Sequence, residues 1–162
     1  MIKLTESTHY EIYGEYERVI LKIKDSKREV MIGDFYGDVE KVIISSNEQY
    51  CIMAGCGIIV YSLKEPFERY EYEKNTTQWK EWCRDGDVWI EDIVLEGNIL
   101  TIHIEADEIE KIGLDELFKG ICTGRECQNF CVNFFMKSHK SALFECLQEN
   151  SATPNGQGAA AL

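Results

Sequence analysis

Proline is almost missing from this sequence: Pro66 and Pro154 are the only two in 162 residues. No Pro-rich linker interrupts the first 150 residues, and the length argues for one domain over 1–150. Basic side chains are the second shortage, 17 against 29 acidic ones, for a net charge of −12. Binding nucleic acid through its phosphates needs a basic face, so that class is excluded, as is attraction to an anionic membrane surface. No apolar run approaches the ~20 residues of a membrane-spanning helix. The start, MIKLTESTHYEIYG, lacks a signal peptide's long apolar core, so a cytoplasmic location is expected. Catalytic and cofactor signatures are missing too. There is no H-E-x-x-H, phosphate-binding loop, G-x-S-x-G or G-x-G-x-x-G, and Asp85-Gly86-Asp87 falls short of an EF-hand loop.

Cysteine, by contrast, is plentiful. Seven residues, an odd number without an export signal, read as reduced thiols. Cys122, Cys127 and Cys131, with His139 or Cys146 as further members, have the spacing C-x4-C-x3-C. A structural zinc site usually takes tight pairs such as C-x2-C. On a helix, Cys127 and Cys131 would share the apolar face of Phe130 and Phe134, where cysteine behaves as a small hydrophobe. No metal and no cofactor are expected.

Residues 1–105 read as strands. RVILKIK (18–24) and REVMIGD (28–34) flank a turn at 25–27. VEKVIIS (39–45) and EQYCIMA (48–54) flank a turn at Ser46–Asn47. IIVYSL (58–63) is apolar on both faces, which places it centrally, covered on both sides. DVWIEDIVLE (87–96) and ILTIHIE (99–105) flank Gly97-Asn98, a two-residue loop suited to a type II′ turn. That loop pairs Leu95 with Leu100 and Ile93 with Ile102 on a core face that Trp89 extends. Val94 then faces Thr101, and Asp92 faces His103, on the wetter face.

From 105 onward the spacing turns helical, over 106–120, 127–135 and 141–150, with Ser141 as an N-cap. SATPNGQGAAAL (151–162) is a small-residue tail expected to be disordered. The fold class expected is α+β: a mostly antiparallel sheet over 1–105, because the loops are too short for crossovers, with C-terminal helices packed on it.

The acidity is uneven. Residues 65–116 hold 16 acidic and 5 basic side chains, a net of −11. Within them EPFERYEYEKNTTQWKEWCRDGDVW (65–89) interleaves charge with aromatic rings. Tyrosine and tryptophan are common interface anchors, and acidic rims steer basic partners. The candidate partner-binding residues are Glu68, Tyr70, Glu71, Tyr72, Glu73, Trp79, Glu81, Trp82, Asp85 and Asp87. The plainer alternative is that these rings cover the sheet.

With ERYEYEKNTTQWKEWCRDGDVWIEDIVLEG as its acidic aromatic run, the chain resembles the immunity proteins of bacterial toxin–immunity pairs. The resemblance is one of general character: small, acidic and unexported. Those proteins share no single fold, so no residue roles transfer. It implies a non-catalytic inhibitor that binds a basic protein such as a toxin tightly. Two alternatives have other signatures. A domain that binds a small molecule or metal would hold it in a pocket between sheet and helices. A cysteine-dependent enzyme would use Cys56, exposed between Gly55 and Gly57, with His103 as base and Asp92 as its orienter.

Overall fold

Eleven strands run in chain order through the residues that the computed structural model describes, 1–74, 76–84, 88–104 and 108–115. They are β1 (Ile2–Glu6), β2 (Tyr10–Glu15), β3 (Arg18–Ile23), β4 (Glu29–Asp34), β5 (Lys41–Ile44), β6 (Tyr50–Gly55), β7 (Gly57–Ser62), β8 (Trp79–Trp82), β9 (Ile90–Glu96), β10 (Ile99–Ile104) and β11 (Glu108–Gly113). The chain divides into two compact units, Met1–Cys127 and Gln128–Leu162, and everything described lies in the first.

Each strand pairs antiparallel with its neighbour in sequence, in three meanders: β1-β2-β3-β4, β5-β6-β7-β8 and β9-β10-β11. The first sheet alternates. Ile12, Val19 and Leu21 point inward and are fully buried. The opposite face carries ion pairs, Lys3–Glu11 at 2.9 Å and Lys22–Glu29 at 3.1 Å, with the Lys22 ammonium 5.8 Å from the Tyr13 ring centre. The second sheet does not alternate. Cys51, Met53, Ile59 and Tyr61 join the first sheet's core, while Ile52, Ala54, Ile58 and Val60 are buried on the other face. Fully burying each large aliphatic side chain stabilises by about 1.5–3 kcal/mol. Gly33 lets the two sheets approach: a Cβ there would sit 3.2 Å from the Met53 sulfur and 3.4 Å from Ile59 Cδ1.

The third sheet buries Ile93, Leu100 and Ile102 and packs through β9 against β5 and β6. Lys41 pairs with Asp92 at 3.0 Å, and the Gly57 N–H donates to the Val88 carbonyl at 3.0 Å. Its hairpin has the expected register: Leu95 opposite Leu100, Ile93 opposite Ile102, Val94 opposite Thr101 and Asp92 opposite His103. Gly97 supplies the positive φ (61°) of the loop. Beyond His103 the register shifts, so Ile90, not Trp89, completes the core face. Trp89 instead bridges to Cys56 and lies over Gly37.

The α+β expectation is overturned: the described residues are all-β, with no helix among the elements. The stretch 106–120 was expected to be helical from its spacing and its acidic start. Its residues 108–113 form β11, six residues in unbroken antiparallel register with β10. The free hydrogen-bonding edge of β10 outweighs a weak local helical preference, since tertiary context decides such segments. The helices expected over 127–135 and 141–150, and the tail 151–162, lie outside the described residues.

Candidate functional site

The acidic segment is a long connection from β7 to β8, and aromatic rings hold it down. Its backbone runs beside β4, where the Tyr70 N–H donates to the Met31 carbonyl at 2.8 Å. Arg28 donates to the Phe67 carbonyl at 3.2 Å, and the Tyr61 hydroxyl donates to the Glu68 carbonyl at 2.5 Å. Phe67 is buried edge-on against Tyr10, with centroids 6.1 Å apart. Trp79 stacks on Tyr61 (6.1 Å, 6° between planes) and lies 5.3 Å from Tyr70. At the far end Gln78 is buried, and its amide donates to the Ser62 carbonyl at 2.6 Å.

Three expected anchors are therefore core residues. Trp79 is 1% exposed, and Tyr70 and Trp82 are likewise buried, so none offers a contact surface in the free chain. WKEW forms β8, with Trp79 and Glu81 on the face toward the first sheet and Lys80 and Trp82 on the other. Glu81 is half-buried: it accepts the Tyr70 hydroxyl with one oxygen and the Glu73 N–H, at 3.1 Å, with the other. Burial, against the pull of those hydrogen bonds, pushes its carboxyl above the ordinary range, and burial likewise pushes the Tyr70 phenol up. What the segment shows to solvent is four carboxylates, Glu65, Glu68, Glu71 and Glu73, and three cations, Lys64, Arg69 and Lys74, with Pro66, Tyr72 and Thr77. Lys74 pairs with Glu68 at 3.2 Å. Asp85 and Asp87 lie outside the described residues.

Beside this segment runs a shallow groove in two parts that share Met31 and Arg69. One, of about 570 Å³, is lined also by Glu68, Tyr70, Glu71 and Lys74. The other, of about 360 Å³, is lined also by Arg28, Glu29, Val30 and Phe67. Its charges are mixed, so it does not select one sign of ligand.

The members of the cysteine constellation have other engagements. Cys56 was expected to be exposed; it is 2% exposed, because the bridge to Trp89 closes over the turn. Asp92 faces His103 as expected, but its carboxylate engages Lys41, whose hydrogen bond lowers its pKa. Cys51 is a free thiol in the core, and burial pushes its pKa far up, away from thiolate chemistry. Among the described residues no group of three His, Cys, Asp or Glu side chains is placed to hold a metal ion. Cys122, Cys127, Cys131, His139 and Cys146 lie outside them.

Behind β8, Arg84 joins three strand ends. It donates to the Cys56 and Asp34 carbonyls, and its guanidinium lies 4.3 Å from the centre of the Phe35 ring. Sequence reasoning missed this residue, which carries no motif. It also missed the largest exposed rings, Tyr16 at 91% and Tyr36 at 81%. The available signal was their company: each sits in a short turn rich in acidic residues, YGEYER and GDFYGD. Among the described residues no helix is long and apolar enough to cross a membrane. Comparison of the chain with protein-family models, curated proteins and solved structures finds no match.

Proposed function

We propose that the chain is a non-catalytic binding module that neutralises a basic protein partner in the cytoplasm, as immunity proteins do. One observation carries this reading. Glu65, Glu68, Glu71 and Glu73 are exposed on a backbone pinned by Tyr61, Tyr70, Arg28 and Gln78. Carboxylates on a pre-ordered frame bind at a lower entropic cost than carboxylates on a mobile loop. They also accelerate encounters with a cationic surface over a screening length of about 8 Å. The net charge of −12 disfavours nucleic acid and anionic membranes as partners. The burial of Cys56 and the engagement of Asp92 by Lys41 weigh against cysteine catalysis.

The groove over Met31 supports a second reading, a small-molecule site, because its volume falls in the range that ligands occupy. One experiment separates them. The full chain captures its partner from a lysate of its own cells, and association is timed against salt for wild type and for a Glu65→Gln, Glu68→Gln, Glu71→Gln, Glu73→Gln variant. The proposed function requires a basic partner, an association rate about tenfold lower in the variant, and a flatter salt dependence. An acidic partner, or binding indifferent to salt, overturns it. A small molecule co-purifying with wild type and lost on Met31→Glu would establish the second reading instead.

A further inference from the structure

Two hairpin loops do the same geometric work with different residues. Between β9 and β10 the two-residue loop Gly97-Asn98 opens with a glycine at φ 61°. Between β2 and β3 the two-residue loop Tyr16-Glu17 opens with a tyrosine at φ 54°. Positive φ costs a bulky residue free energy that glycine or asparagine does not incur. Tyr16 recovers none of that cost by packing, since 91% of it is exposed. The fold alone gives no reason for a tyrosine here.

A second exposed ring is carried by a turn linked to this one. The Glu17 carbonyl accepts the Phe35 N–H at 2.8 Å, and the Glu17 carboxylate accepts the Gly37 N–H at 3.4 Å. The turn carrying Tyr36 is thereby fastened to the turn carrying Tyr16, and Tyr36 is 81% exposed. The two turns and their flanks carry Glu15, Glu17, Asp34, Asp38 and Glu40 against Arg18 and Lys41, while Arg84, which donates to the Asp34 carbonyl, is largely buried. Exposed rings on two turns fastened through one glutamate suit a planar cation. Guanidinium stacks on an aromatic face while donating paired hydrogen bonds to a carboxylate; an ammonium does only part of this.

We propose that Tyr16, Glu17 and Tyr36 anchor a docking surface for an arginine-bearing segment of a partner protein. This rests on the reading that the chain binds a basic protein, and it locates the energetic centre at the β2–β3 end instead of at residues 65–73. Rings at this end shorten the list of partners, because they favour arginine over lysine at equal charge.

The test uses the full chain and two probes, the blocked peptides (Gly-Arg)5 and (Gly-Lys)5. Titrated into isotope-labelled protein, the arginine peptide should perturb amides of 15–18 and 34–38 and bind several-fold tighter than the lysine peptide. Tyr16→Gly with Tyr36→Ala should erase that preference and leave the salt-dependent remainder. Tyr16→Gly alone should raise the melting temperature by about 1–4 °C, because it relieves the positive φ while weakening binding. A fall in melting temperature would mark Tyr16 as structural and overturn the inference. So would equal affinity for the two peptides, or perturbations confined to 65–73. With the captured partner, tight binding that is lost on neutralising residues 65–73 but indifferent to Tyr16→Gly defeats this docking surface and leaves the binding reading standing. A partner that is not basic defeats both.

Discussion

Two aromatic, acidic regions of this molecule have opposite insides. Phe67, Tyr70 and Trp79 turn inward between the first two sheets, Trp82 is buried on the second sheet's other face, and of the region's rings Tyr72 faces water with the carboxylates of 65–73. At the β2–β3 end the rings themselves face water. The first region's sequence advertises an interface and mostly builds a core; the second's advertises little and leaves two tyrosines standing. Aromatic content alone therefore does not identify a binding surface. What decides is whether a neighbouring strand needs the ring. Trp79 is needed, because β8 covers Tyr61 and Tyr70; Tyr16 sits at a turn that covers nothing.

Trp79→Ala attacks the first region directly. It removes the centre of the ring stack, and the expected loss is about 3–5 kcal/mol, read as a shift in the urea midpoint. If Trp79 were an interface anchor, the midpoint would barely move. Gly57→Ala tests the frame beneath β8. A Cβ there would meet the Trp82 and Cys83 carbonyl oxygens at 2.5 Å, in a backbone with φ 78°. Neither carbonyl can move without unpairing β7 from β8, so a loss of about 2–3 kcal/mol is expected in the same assay.

A smaller, pH-dependent effect joins the two sheets through their turns. The His9 ring lies 2.5 Å from the Glu48 carboxylate, and the His9 backbone N–H donates to its other oxygen at 3.0 Å. The hydrogen bond to Glu48 raises the His9 pKa above its ordinary 6.5. This contribution is complete below 6.5 and is lost as pH rises through the folded, higher value. The Ser7 hydroxyl, then His9, hold Glu48 down to about 2 from 4.5. That contribution is complete above 4.5 and is lost as pH falls toward 2. The unfolding midpoint should therefore be flat between 4.5 and 6.5 with respect to this pair and decline on either side. His9→Gln should flatten the alkaline limb, and a midpoint profile unchanged by it would disprove the linkage.

The smallest effect belongs to the displayed carboxylates. Glu68→Gln, Glu71→Gln and Glu73→Gln should each change stability by less than about 0.5 kcal/mol in thermal unfolding, whatever they do to binding. A larger loss would mean that the segment's charges belong to its architecture.

How much of this was legible depended on whether a local pattern met a local cause. The 87–105 hairpin was readable residue by residue because Gly97-Asn98 fixes the loop length and the flanks alternate cleanly. IIVYSL announced its burial on both faces by having no polar face to expose. The slip at Trp89 came from a bulge near Glu91, and one inserted residue reverses which side chains point inward. WKEW read as surface because half of it is charged. In the fold each charge has a short-range solution: Lys80 donates to the Thr76 carbonyl at 3.1 Å, and Glu81 accepts Tyr70. The 108–113 strand read as helix because the deciding partner, the edge of β10, is a tertiary fact. The tyrosines at 16 and 36 escaped notice because exposure is set by what does not arrive, and no periodicity records that.

Consecutive pairing throughout the three meanders also sets an order for assembly. Every ladder closes through a connection to the next strand, so each sheet can zip from its turns without waiting for distant chain. The second sheet is the exception in energy, though not in topology. With apolar residues on both faces, it gains little from forming alone and much from being covered twice. Docking of sheets, rather than strand pairing, should then dominate the folding barrier. Substitutions between sheets that weaken this docking, as at Met53 or Ile59, would then slow folding.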